Sequence, residues 1–244
     1  AIRSRGLGDV YKRQVIDNWT NTSPGDAFFA HGTTSKRGGK VLKKNKTYKI
    51  EIQYKFEGNF PAIYIGCQPP DKIDLMDEAL KIAKEVEQVV LMVGTNSDWE
   101  TEGNDRVDFN LPGKQDELIE KVLEINPNTI IVLNTGSPIN MPWVNKAKAV
   151  IQSWYAGQEY GNALVDILTG DINPSGKLPT TFPANLSDTP AYESYPGKNL
   201  QMDYDEKLLV GYKWYDKNLV EPLFPFGHGL SYTEFEYSEL KIKK

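Results

Sequence analysis

The sequence predicts an α/β chain with a doubly wound, mostly parallel sheet, preceded by a partial all-β module. Three observations predict it. Apolar runs without alternation, VVLMVG at 89–94 and TIIVLN at 129–134, have the length of strands covered on both faces. Stretches with apolar residues at helical spacing lie between them, and such alternation builds a parallel sheet with right-handed crossovers. Upstream, within residues 15–67, the apolar residues alternate in period 2 instead.

The elements follow in order. Residues 1–14, AIRSRGLGDVYKRQ, show neither periodicity and resemble translated adapter or vector sequence, so they are set aside. VIDNW, from residue 15, reads as a short strand. In KTYKIEIQYKF, 46–56, Tyr48, Ile50, Ile52 and Tyr54 share one face. PAIYIGC, 61–67, repeats the pattern with Ile63 and Ile65 after an EGNF turn. The Pro-Pro pair at Pro69 marks a boundary. From 71 to 88, Met76, Ala79, Leu80, Ala83 and Val86 form one face of an amphipathic helix. A second helix covers 115–125, with Leu118, Ile119, Val122 and Leu123 inward and NPN as its stop. AVIQSW, 149–154, is a third strand, and 159–170 a helix ending at glycine. LVGYKWYD, 209–216, is expected as a strand. PLFPFGHGLSYT, 222–233, is expected as an ordered loop, and FEYSELKI, 235–242, as a strand that begins a new unit.

Totals narrow the function. A chain of 244 residues can bury a core, and no apolar run is long enough to span a bilayer, so a membrane partner is not expected. A net charge of -5 argues against nucleic acid, which wants a basic face. One cysteine, Cys67, excludes an internal disulfide and a thiol cluster; it reads as a small buried apolar residue. With only His31 and His228, a metal centre and histidine chemistry have few candidates, and His228 reads as structural. No cofactor is implied, because no phosphate-binding glycine motif opens a helix after a strand. Carboxylates are left as the place to look for acid–base chemistry.

SDWETEGNDR, 97–106, follows the first buried strand directly and carries four acids in ten residues. In open α/β sheets ligands bind beyond the carboxyl ends of the strands. The loops after the other two strands, NTGSPI and WYAGQEYG, belong to the same rim, and only the first is dense in acids. Spacing alone leaves a site and a solvated face at even odds. Ser137 lacks the context of a nucleophile elbow and reads as a helix cap.

WETEGNDR and the following DFNLPGKQDELIEKVLEINPNTIIVLNTGSPINMPW closely resemble the C-terminal α/β sandwich domain of glycoside hydrolase family 3 β-glucosidases. AVIQSWYAGQEYGNALVDILTGDINPSGKLPTTFP and FPFGHGLSYTEFEY continue the likeness, which covers roughly residues 71–244. The upstream alternating segment resembles the later part of a PA14 module, which some β-glucosidases of this family insert within the sandwich domain. The division that follows is 1–14 as a non-native tail and 15–68 as a partial PA14-like module. Residues 69–232 are then the sandwich domain, and 233–244 the start of a fibronectin type III-like domain.

The resemblance implies a retaining glycosidase acting on a β-linked oligosaccharide or glucoside, with two carboxyls about 5–5.5 Å apart. The nucleophile would be an aspartate on a preceding (β/α)8 barrel, for whose roughly 250 residues this chain has no room. The acid/base would be the glutamate of an E-G-x-D-R pattern, which here falls on Glu102, Gly103, Asn104, Asp105 and Arg106. A general acid must hold its proton near the working pH, through burial or a nearby anion. Gly103 lets the backbone turn closely beside it. Asp105 and Arg106 are expected to pair and brace the loop. Glu100 is the rival: in a locally extended loop it would point the same way as Glu102, and only the family pattern favours the latter. Asp98 reads as a surface or capping acid. Trp99, Phe28 and Phe29 are candidates for a substrate wall, against packing roles for all three.

The chain is therefore expected to be part of a β-glucosidase and inactive alone. Two other readings stand beside it: a carbohydrate-binding PA14 fragment, and a non-catalytic flavodoxin-like interaction domain. Within enzymes, β-xylosides compete with β-glucosides. Oligomeric state, homo-oligomers included, stays open. So does the compartment, since N-x-S/T triplets at Asn18, Asn21, Asn45 and Asn185 arise often by chance.

Overall fold

The computed structural model describes residues 15–18, 23, 33–55, 63–67, 74–103 and 105–243. The chain forms two compact units, one of residues 1–74 with 96–106, the other of residues 75–95 with 107–244.

The second unit carries a three-stranded parallel sheet. Helix α1 (Leu75–Glu85) leads into β1 (Val89–Gly94), α2 (Gln115–Ile125) into β2 (Thr129–Asn134), and β3 (Ala149–Gln152) into α3 (Tyr160–Thr169). The order is β1-β2-β3, with Val89 opposite Thr129 and Ile130 opposite Ala149. β2, in the middle, buries both faces, as its unbroken apolar run predicts. β1 does not: Val90 and Met92 on one face are exposed. Among the described residues it has one strand neighbour, β2, and only its other face is covered.

The core gathers Val93, Ile119, Leu123, Ile131, Leu133 and Trp143, with Phe182 from the later chain. Trp143 is fully buried, and its indole N–H donates to Asp116 Oδ1 at 2.8 Å. That bond satisfies the one polar atom of a large apolar side chain. Asp116 lies in the first turn of α2, where the helix dipole favours an anion. Burial nevertheless pushes its carboxyl above 3.8, outweighing the Trp143 bond that lowers it; the neighbouring Glu120 and Asp108 add to the rise. The folded state thus holds this proton more tightly than the unfolded chain, so its share of stability falls as pH rises through the folded pKa. Urea titrations of the wild-type chain and of Asp116→Asn should therefore diverge, wild type losing ground to the variant as pH rises from 3.8 and levelling off above that window. A constant difference across pH would contradict this.

Asn126, just past α2, joins two layers. Its Nδ2 donates to the carbonyls of Ala83 and Val86 at 3.0 and 2.9 Å, satisfying groups that the end of α1 leaves open. Its own carbonyl accepts from Thr129 Oγ1 at 2.6 Å. α3 ends on Gly170 in the left-handed conformation, φ 82°.

Five expected strands and two smaller expectations are corrected. In the first unit, residues 46–55 form no strand, and Tyr48, Ile50, Ile52 and Tyr54 are exposed. Neither do the described residues 15–18 and 63–67. Alternation marks a surface able to pair, but a ladder needs a second strand in register. Residues 209–216 hold a helix, α4 (Tyr212–Asn218), in place of a strand. Gly211 at φ 59° turns the chain before it, and Tyr215 is the residue it buries. That burial pushes the Tyr215 hydroxyl up to about 12. Residues 235–242 form no strand, and Phe235, Tyr237, Leu240 and Ile242 are exposed. No helix starts at Ser137, whose carbonyl accepts from Thr135 Oγ1 at 3.1 Å. Cys67 is exposed, not buried.

The loop expected at 222–233 docks on the core. Phe182 and Phe224 exchange backbone hydrogen bonds of 2.8 and 3.2 Å, and Phe182 meets both Phe224 and Trp154 edge to face. His228 stacks on Phe224 at 4.9 Å, in keeping with a structural role.

Candidate active site

β1 ends at Gly94, where a side chain is excluded because a Cβ would run into the Asn134 carbonyl. The Gly94 N–H donates to Gln115 Oε1 at 2.7 Å, and its carbonyl accepts from Gln115 Nε2 at 2.9 Å. Thr95 is buried; its N–H donates to the Asn134 carbonyl at 3.1 Å, and its hydroxyl lies 2.6 Å from Tyr155 Oη. On the same rim, Gln152 Nε2 donates to the Thr135 carbonyl at 2.9 Å, and Ser153 Oγ to that of Leu133 at 2.7 Å. Sequence reasoning missed Gln115, Thr95 and Tyr155; a glutamine opening a helix and a tyrosine in a loop carry no spacing signal.

The acid-rich loop follows at Asn96. Its carbonyl accepts from the N–H groups of Trp99 and Glu100 at 3.0 and 2.9 Å, and its Oδ1 from that of Asp98 at 2.9 Å. These bonds wind 96–100 into a tight turn. The turn ends at Glu100; Thr101 makes a bridge, and Glu102 with Gly103 forms the next turn.

The two glutamates differ accordingly. Glu100 Oε1 pairs with Arg106 at 3.2 Å, and both side chains are largely buried, at 13% and 19% exposed. Such a pair, shielded from water, holds its members in place more than a surface pair does. Glu102 is exposed. Gly103 beside it sits at φ 78°, a conformation natural to glycine. Arg106 pairs with Glu100 and not, as expected, with Asp105, which is exposed. Glu100 and Arg106 lie six residues apart, a contact that neighbour-to-neighbour reasoning does not anticipate.

Asp98 is exposed, as a surface acid should be. Trp99 is half-buried, and its indole N–H is buried without a hydrogen-bond partner. Phe28, Phe29 and Asn104 lie outside the described residues. In chemical terms, the loop offers an exposed glutamate, Glu102, flanked by exposed Asp98 and Asp105, beside a second glutamate that an arginine already engages.

The family profile of the Glycosyl hydrolase family 3 C-terminal domain matches residues 12–232. The probable beta-glucosidase I of Aspergillus flavus is 42% identical over 244 aligned positions, which take in 93% of this chain and 29% of the relative. That of Emericella nidulans is also 42% identical, with the same coverage. The chain thus spans under a third of the length of these relatives. Among solved structures, a beta-glucosidase from Kluyveromyces marxianus in complex with glucose superposes with a TM-score of 0.65 at 42% identity, over 69% of this chain and 20% of that one. A beta-glucosidase from Streptomyces venezuelae in complex with D-glucose gives 0.62 at 48%, over 65% and 20%.

Proposed function

Because the chain belongs to the family of the glycosyl hydrolase family 3 C-terminal domain, we propose that it is the acid/base-bearing part of a retaining β-glucosidase. The supporting observation is the division of labour on the loop after β1: Glu100 is engaged by Arg106, and Glu102 stands open. The substrate is a terminal β-glucoside, in line with relatives named beta-glucosidases and solved relatives holding glucose. The nucleophilic carboxylate comes from a barrel outside these residues.

A carboxylate attacks the anomeric carbon from the face opposite the aglycone, while the Glu102 carboxyl gives its proton to the departing oxygen. That leaves a glycosyl ester and a Glu102 carboxylate. The carboxylate then takes a proton from water as the water oxygen attacks the anomeric carbon, releasing the nucleophile and restoring the acid. Two inversions give net retention.

Proton NMR of a full-length enzyme carrying this chain should show β-glucose as the first product, before mutarotation. The 244-residue chain alone should not turn over a nitrophenyl β-glucoside. α-Glucose as first product, or turnover by the chain alone, would contradict the proposal.

A further inference from the structure

We propose that Gln115 and Tyr155 are positioning residues for the acid/base loop, holding the two backbone residues from which that loop departs. The inference rests on the reading of Glu102 above. All the contacts involved lie within the sheet-bearing unit.

Among the described residues β1 pairs with one strand, β2, so the other side of its backbone has no described strand beside it. Gln115, the first residue of α2, takes that role at the strand's last residue. Its carboxamide accepts from the Gly94 N–H and donates to the Gly94 carbonyl, at 2.7 and 2.9 Å. This is the two-bond pattern that a neighbouring backbone would offer. Nε2 also donates to the Pro112 carbonyl at 3.1 Å, which fixes the carboxamide plane.

Tyr155 acts one residue further on. It follows Trp154, a bulky residue at φ 56°, where side chains other than glycine are rarely found. Trp154 is held there against buried Phe182, ring centroids 6.2 Å apart. Beyond this turn the Tyr155 hydroxyl meets that of Thr95 at 2.6 Å, across sixty residues of sequence. Gly94 and Thr95 are thus fixed by Asn134, Gln115 and Tyr155 immediately before Asn96. An acid works only when its proton lies within hydrogen-bond reach of the leaving oxygen. A displacement of about 1 Å at a loop's base is enough to cost up to about 10²-fold in rate.

The test uses the full-length enzyme and a series of β-glucosides with graded leaving-group pKa. Gln115→Met and Tyr155→Phe should each lose roughly tenfold in kcat/KM on alkyl glucosides and less than about twofold on dinitrophenyl glucoside, where protonation matters little. The plot of log kcat/KM against leaving-group pKa therefore steepens. Thr95→Val should steepen it too, and Thr95→Ser, which keeps the hydroxyl, should restore the wild-type slope. The slope does not depend on how much enzyme is folded, and Tyr155 is half exposed, so partial unfolding cannot imitate the effect. Equal losses on all substrates at unchanged slope would overturn the positioning role while leaving Glu102 in place. Glu102→Ala is measured alongside; if azide does not rescue it, the reading of Glu102 fails and this inference falls with it.

Discussion

Glu102→Ala in the full-length enzyme lowers kcat/KM by about 10²–10⁴ on glucosides with poor leaving groups. An alkoxide cannot depart unprotonated, so the missing proton falls on the bond-breaking step. A dinitrophenolate needs no proton, and the first step on that substrate is nearly spared. Its glycosyl ester then accumulates, because water lacks a base. Azide, an anion that needs no deprotonation and fits the space of the lost carboxyl, restores turnover. Glu100→Ala behaves differently: it releases Arg106 from its partner and loosens the loop. Its losses are similar on every substrate, and azide does not reverse them. A leaving-group dependence that appears with Glu100→Ala and not with Glu102→Ala would reverse the assignment.

Trp143→Ala carries the largest expected cost in stability, about 3–5 kcal/mol by comparison with other large-to-small core substitutions. The side chain is fully buried among Ile139, Met141 and Ile131, and a void of that size does not close. The change also strips Asp116 of the N–H that Trp143 gives it. Trp143→Phe keeps most of the volume and loses only that bond, so its cost should be well below that of the alanine variant. Urea unfolding of the 244-residue chain reads both. A Trp143→Ala variant within about 1 kcal/mol of wild type would mean that the core is not packed around this residue.

The parts of the fold legible in the sequence are those fixed by local periodicity. α2 and β2 fall at the residues the pattern picks out, because each buries a face against neighbours from the same unit. The strands expected in 46–56 and 61–67 needed partners that alternation cannot name, and among their described residues Tyr54 alone is bridged. Residues 209–216 misled through composition: aromatics favour strands, but Gly211 at positive φ starts a helix there. Of the candidate site, the position of the acidic loop at a strand's end was legible. Its internal logic was not. Glu100 and Glu102 have the same chemistry, and only the turn at Asn96 and the partner of Arg106 distinguish them. The supports at Gly94 and Thr95 come from residues far along the chain, which no local window contains.

The most direct measurement is the configuration of the sugar azide that the Glu102→Ala enzyme makes from dinitrophenyl β-glucoside in azide. If Glu102 is the acid/base, the nucleophile is intact and azide attacks the α-linked glycosyl ester from the opposite face, giving β-glucosyl azide. An α-glucosyl azide would make the mutated residue the nucleophile, and no azide adduct at all would remove it from the chemistry.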